Sequence, residues 1–317
     1  MADAYTGVGA VSTDQTAYDL AVYHGLRQML YFDAIADVQS TNQSQNGSAV
    51  TFTILTDLSA NTTTLNESTD VDATALADSQ VTLTLAEYGA AVLYTKLLRS
   101  TSFVPYDPVV ANAIAWQAGL SQDALAVNVL RAGTNVRYAG QAVSRATVIP
   151  TDTLAGNNTR RAVAELRGQN VMDFGGNFYA GFIHPDVSYD FMGATGGANW
   201  RDPHTYSSPD AIWTGEVGAF QGARFVESSS TRLIVSDAGS STTLTDVYLS
   251  LFVGRQSLAK AYSHSDGNGA YPLFIDGPVT DKLRRNKPMG WYWIGAYGRF
   301  REAAIRRIEY ASSIGAN

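Results

Sequence analysis

Few residues of this chain are of types and spacings that do chemistry. Its four histidines are His24, His184, His204 and His264, there is no cysteine, and no histidine falls in an HExxH or other metal-ligand spacing. His184 precedes Pro185 and Asp186, which invites an acid–base or metal reading. A strand end followed by a helix start is simpler, because proline suits the first helical position and a carboxylate suits the positive end of the helix. His204, in WRDPHTYSS, reads as a loop residue and not as a ligand. The glycine runs GVGAVS, GGNFYAG and GATGGAN fit neither a dinucleotide turn nor a phosphate-binding loop, and there is no GxSxG elbow. Asp266, Asn268 and Asp276 offer oxygen ligands, but their spacing matches no calcium loop. Trp200, Arg201, Trp213 and Arg224 have the types that stack on bases; core or interface packing fits them better in an acidic chain. The expectation is a protein with no catalytic residue, no cofactor and no metal.

The composition points the same way. Hydrophobic residues make up 45% of the 317 and charged residues 16%, which places the chain among those that fold around a core. Its surface polarity comes from hydroxyls and amides, which cost less to cover with a neighbour than ions do. A net charge of −7 argues against a protein that grips nucleic acid through one broad basic face. The absence of cysteine removes disulfides and thiolate catalysis. The first twenty residues lack the basic and apolar regions of a signal peptide, and no apolar run is long enough for a bilayer, so synthesis in the cytoplasm is expected.

What the elements build is an α+β chain. Residues 1–15 read as an arm, followed by a helix from Thr16 to Asp37 capped by Thr13 or Thr16. AVTFTIL alternates Val50, Phe52 and Ile54 with threonines, and VTLTLAEYG alternates Val81, Leu83 and Leu85 likewise, as two half-buried strands do. The connection from Asp57 to Gln80 is far longer than a hairpin needs, so an outreaching loop ordered by another subunit is expected. Asp107 to Gly133 predicts a long helix, with Asp107 as N-cap and a stripe of Val109, Ala113, Trp116, Leu120, Ala124 and Val127. Gly119 inside it marks a bend or close packing. Thr159–Arg167 predicts a short helix. NFYAGFIH, DAIWTG, GARFVES, TRLIVSD, DVYLSLFVG, YPLFIDG and MGWYWIGAYGRF read as strands, and REAAIRRIEYAS as either strand or helix.

Charge is split along the chain. No Lys or Arg occurs between Arg27 and Lys96, a span holding Asp33, Asp37, Asp57, Glu67, Asp70, Asp72, Asp78 and Glu87. Near the C-terminus Lys282, Arg284, Arg285, Lys287, Arg299, Arg301, Arg306 and Arg307 outnumber Asp281, Glu302 and Glu309. Solvated faces account for such runs equally well. The sharper expectation is that Glu67, Asp70, Asp72 and Asp78 of one copy meet Arg284, Arg285, Lys287 and Arg299 of its neighbour, guiding register more than adding affinity.

The composite of Ile183-His184-Pro185, Trp200-Arg201-Asp202, Gly215-Glu216 with Gly218, and Gly222-x-Arg224-Phe225-x-Glu227 resembles a family of tailed-phage major capsid proteins with the Hong Kong 97 (HK-97-like) fold. Leu65-Asn66-Glu67 and Glu87-Tyr88-Gly89 add to the likeness, which spans about Tyr18 to Tyr310. The resemblance implies an N-terminal arm and helix (1–39), an extended β-hairpin loop (40–96), a peripheral domain (97–150) with its spine helix at 107–133, an axial domain (151–277) and a return to the peripheral domain (278–317). It further implies hexamers and pentamers of an icosahedral head enclosing double-stranded DNA, with portal, scaffolding and cement proteins as partners, no membrane, and assembly in the bacterial cytoplasm. Crosslinking through a lysine on the loop, as in the fold's type member, is excluded here because the loop carries no lysine before its last residue, Lys96. An encapsulin-like nanocompartment shell shares the fold and is the alternative; a hydrolase built on His184 and His204 is the remote one.

Overall fold

The computed structural model describes residues 27–28, 30–41, 48–68, 70–102, 106–193, 216–240, 245–263, 269–278 and 281–314. In chain order the elements begin with β1 (Asp37–Thr41), β2 (Ala49–Leu55), β3 (Asp78–Thr84), β4 (Ala86–Thr95), α1 (Lys96–Thr101) and α2 (Tyr106–Arg131). Then follow β5 (Val136–Tyr138), α3 (Gly156–Gly168), β6 (Tyr179–Ile183), α4 (Pro185–Gly193), β7 (Glu216–Phe220), β8 (Ala223–Glu227) and β9 (Ile234–Val235). The chain continues through β10 (Val247–Val253), β11 (Leu258–Ser263), β12 (Leu273–Asp276), β13 (Asn286–Arg299) and β14 (Ile305–Tyr310).

The alternating run AVTFTIL is β2 from end to end, and it pairs antiparallel with β3 from Ala49↔Thr84 to Leu55↔Asp78. Its inward residues make the base of this hairpin a lid. Phe52 and Leu83 pack on Ala259, Ala261 and Ala296, with the Phe52 ring 5.4 Å from that of Phe300. Glycine at 298 makes this approach possible, since a Cβ there would lie 2.0 Å from Leu83 Cδ2. The return run breaks at Leu85, and β4 then pairs with β13 over ten residues, from Ala86↔Gly295 to Thr95↔Asn286.

β13 organises the first sheet. Gly290 pairs with both Ala91 and Ile275, and Gly295 with both Ala86 and Tyr262, so β4 lies along one edge of β13 while β11 and β12 share the other. β1 adds in parallel outside β11. A second, mixed sheet runs β5-β14-β10-β6-β8-β7, with β9 also on β10. Its central strand β10, VYLSLFV, is buried at every position, as a strand covered on both faces must be. Tyr248 and Phe252 face α3 and α4, where Val163, Leu166, Val187, Phe191 and Phe225 complete a core. Leu251 and Val253 face the other way, onto Ala126, Val127 and Leu130 of α2.

α2 therefore binds the two sheets together. At 26 residues it is about 39 Å long. Its N-terminal half sets Val110, Ile114 and Ala118 against Met289, Trp291 and Trp293 of the first sheet; its C-terminal half lies on the second. The helix expected at 107–133 is confirmed, but four of the six residues of its predicted stripe are not buried: Ala113 is exposed, Val109, Trp116 and Leu120 are half-buried, and the fully buried line runs 110, 114, 118, 122–124, 126, 127 and 130. The cause is that the helix serves two sheets and also carries an incoming segment, so no single face is buried throughout. Arg27 lies 5.2 Å over the Trp116 ring, and Leu30 packs closely against Gly119.

Most of the helix expected at Thr16–Asp37 lies outside the described residues. Its described end is not α-helical: Asp33–Ile35 is one 3-10 turn leading into β1. Buried side chains pin that turn. Phe32 is fully buried with its ring 4.6 Å from Phe182, and its N–H donates to Asp123 Oδ1 at 2.8 Å. Lys260 Nζ reaches Asp33 Oδ1 at 2.8 Å among the rings of Tyr271, Trp293 and Tyr297, and Tyr297 donates to the same oxygen. The open choice at REAAIRRIEYAS resolves as a 3-10 turn and strand β14, and TRLIVSD holds only the two-residue β9 after a 3-10 turn. The strand expected at DAIWTG lies outside the described residues. Among those described, no helix is long and apolar enough to cross a membrane.

Candidate functional site

The strongest chemical candidate of the sequence has a structural job. His184 follows β6 directly, and its carbonyl accepts the N–H groups of Val187 and Ser188, opening α4 at Pro185 as the sequence suggested. Its Nδ1 lies 3.3 Å from the Asp186 N–H and 3.2 Å from Asp186 Oδ2, and its ring packs 5.5 Å from Tyr248. Burial lowers its pKa, against the pull of Asp186 and Glu227. Accepting the Asp186 N–H at Nδ1 suits a neutral ring, and Asp186 is further occupied by the Tyr248 hydroxyl at 2.8 Å. Arg224 lies 4.9 Å over the Phe178 ring, and Asp276 pairs with Lys287. His24, Trp200, Arg201, His204, Trp213, His264, Asp266 and Asn268 lie outside the described residues. Among the described residues no group of three or more His, Asp or Glu is placed to hold a metal.

The surface features are of another kind. Residues 56–77 project from the hairpin with no helix or strand of their own, and every described residue among them is exposed. They carry Leu58, Leu65, Val71 and Leu76 as exposed apolar side chains, Leu65 at 72%. Glu67, Asp70, Asp72 and Asp78 are exposed there and at the start of β3, and none pairs with a cation among the described residues; Asp78 accepts only from Gln80.

The basic candidates Arg284, Arg285 and Lys287 come together. They line a cleft of about 500 Å³ with Tyr94, Lys96, Arg99 and Ser100. The β4–β13 pairing builds it, bringing Thr95 opposite Asn286 and the Lys96 N–H to the Arg285 carbonyl at 2.6 Å. Carboxylates hold several of these cations in place: Arg99 on Asp107 at 2.6 Å, Lys287 on Asp276 at 3.1 Å and Arg285 on Asp281 at 3.0 Å. The Asp276 contact raises the Lys287 pKa, and Arg285 lowers that of Asp281. Lys96 and Arg284 have no side-chain partner among the described residues, so five cations face three carboxylates. Farther along the same strands, Ala90, Ala91, Ile275, Pro288, Met289 and Trp291 line an apolar cleft of about 370 Å³.

Arg299 is not part of this cleft. It pairs with Glu302 at 3.2 Å and donates to the Ala132 carbonyl at the end of α2. Lys96 and Arg99 belong to the cleft but are invisible as such in the sequence, because only the β4–β13 register brings them beside Arg284 and Arg285. Within one chain the acidic loop and the basic cleft are joined by no ion pair among the described residues.

An outreaching hairpin, a long helix binding two sheets, and a mixed sheet clasped by further helices define a class: the architecture is the Hong Kong 97 capsid fold. A capsid structure of Ralstonia phage GP4 superposes with a TM-score of 0.79 at 15% identity, covering 98% of each chain. The cyanophage Pam1 capsid gives 0.74 at 12% identity, covering 99% of this chain and all of that one, and a cyanophage P-SCSP1u capsid structure gives 0.67 at 13%, covering 97% of this chain and 96% of that one. No curated protein sequence matches. A family model described as phage capsid protein matches residues 28–314, and the chain belongs to that family: it is a phage capsid protein.

Proposed function

We propose that the chain acts purely as a building block, forming the hexamers and pentamers of an icosahedral head that encloses double-stranded DNA, assembled in the bacterial cytoplasm with a portal and a separate scaffolding protein. The observation that carries this reading is the loop at 56–77, which is acidic, exposed at every described residue and studded with leucines that gain nothing in an isolated subunit. A neighbouring copy offers what it lacks. Glu67, Asp70 and Asp72 would meet the cleft of Arg284, Arg285 and Lys287, extended by Lys96 and Arg99, while the leucines cover the adjoining apolar cleft. Arg299 stays with its own Glu302 in this arrangement. Exposed ion pairs contribute about 0–1 kcal/mol each, so the charges select register and the leucines supply most of the adhesion.

Reversing the charges with Asp70→Lys and Asp72→Lys tests it. The expected result is a folded subunit, with unchanged circular dichroism and melting, that no longer enters the high-mass fraction on sizing chromatography; normal assembly of the double variant refutes the loop-to-cleft contact. Adding Arg284→Glu and Arg285→Glu restores assembly if these are the partners.

A further inference from the structure

Beyond the C-terminus of α2, β14 turns Arg307 and Glu309 to the same face as Ile305, which packs on the helix. Glu309 is fully buried and gripped by Arg145, with Nε at 2.8 Å from one carboxylate oxygen and an Nη at 2.6 Å from the other. Arg307 Nε lies 2.9 Å from Glu309 too, but out of line for a hydrogen bond, so this buried donor is left over. The side chain of Arg131, in the last turn of α2, makes no hydrogen bond or ion pair with any described residue. It sits half-buried in the positive field of Arg145, Arg307 and Arg232, with Glu309 as its one countercharge among the described residues. Arg232 is exposed and donates to Asn128 Oδ1 at 3.2 Å, one helical turn before Arg131.

Four guanidiniums around one carboxylate leave three positive charges in excess, in a chain whose total is −7. Burial and mutual repulsion lower the Arg131 pKa, which means that the arrangement costs the isolated subunit stability. An anion from outside explains it. Glu309 already fills the place of a carboxylate in the bidentate grip of Arg145. A phosphoryl group brings more oxygens and can take several guanidiniums at once. All four cations are arginines, whose planar forks match phosphate geometry better than a lysine does.

We propose that Arg131, Arg145, Arg232 and Arg307 form a phosphate-binding site, with Glu309 as the buried anchor that orders them. Its ligand is the phosphate group, either along a nucleic-acid backbone or as the free ion. The site stands on this geometry whether or not the loop-to-cleft contact holds.

The test uses the full-length chain, unassembled, and the variant Arg131→Gln/Arg232→Gln, with Lys282→Gln as a control at an exposed cation outside the patch. Inorganic phosphate is expected to raise the melting temperature of the wild type and the control but not of the double variant. A short labelled DNA duplex, followed by fluorescence anisotropy from about 50 to 200 mM salt, is expected to bind the double variant about tenfold more weakly, with a log–log salt slope shallower by about 1 to 2. Without phosphate the double variant should melt no lower than the wild type, since it sheds repulsion and breaks no ion pair. Phosphate binding without duplex binding keeps the site and assigns it to the free ion. Equal binding of both probes by wild type and double variant overturns the proposal; if that double variant also fails to assemble, the patch receives a carboxylate of a neighbouring copy instead.

Discussion

Replacing Asp123 by Asn should make the subunit more stable at neutral pH, and by an amount that depends on pH. Asp123 is 2% exposed on α2 and accepts backbone N–H groups of the 31–33 segment, including that of Phe32 at 2.8 Å. Burial, with the nearby charge of Asp33, pushes its carboxyl from an ordinary 3.8 up to about 6, and the backbone donors offset only part of this. The folded state therefore holds the proton more tightly than the unfolded state does. The contribution is fully present below pH 3.8 and is lost as pH rises through about 6. At about 1.4 kcal/mol per pH unit, the ionised carboxylate costs the folded state about 3 kcal/mol at pH 7.5. Asparagine keeps the acceptor oxygen without the charge, while its amide N–H2 adds an offset that does not vary with pH. Urea unfolding of the dilute, unassembled chain should show the stability of D123N minus that of the wild type rising by about 2.4 kcal/mol between pH 4 and pH 7.5. A difference that stays flat, or that falls over this range, refutes the assignment of Asp123 as a buried carboxyl that resists ionising.

Three further outcomes follow from packing. Phe32→Ala should destabilise the chain by about 3–5 kcal/mol in the same assay, because Phe32 is fully buried between α2 and the second sheet. Gly140→Ala should cost at least 1–3 kcal/mol, roughly, since Gly140 has φ of +61° and a Cβ would stand 1.8 Å from Asp152 Oδ1; a melting temperature equal to wild type contradicts this. Glu309→Gln should lower stability by roughly 2–4 kcal/mol through the charges it strands on partly exposed Arg145 and on Arg307, and phosphate should restore part of the loss.

How far the sequence disclosed this structure depended on how many partners each element serves. The hairpin strands were legible because one face of each meets the subunit and the other meets water, so Phe52 and Thr53 alternate cleanly. The His184-Pro185-Asp186 turn was legible because a proline and a carboxylate at a helix start act locally. The buried line of α2 was not, since two sheets and the 27–32 segment each claim a different arc of it. Strand β11 escaped notice because its central Lys260 looks like a surface residue, yet Asp33 and three aromatic rings bury it. β14 was ambiguous for the same reason: Arg306 is buried against Glu165 and Glu309 against Arg145, so charge no longer marks the solvent side. The basic cleft was half legible, its Arg284, Arg285 and Lys287 visible as a run and its Lys96 and Arg99 supplied by the β4–β13 register.

Electron cryomicroscopy of the high-mass fraction formed by the chain, expressed with and without a scaffolding protein, tests the central claim most directly. Closed shells or capsomer rings in which residues 56–77 of one copy lie across the Arg284–Lys287 cleft of the next are the predicted result. A chain that remains a stable monomer under all salt and scaffold conditions, or shells in which the loop touches no neighbour, would contradict it.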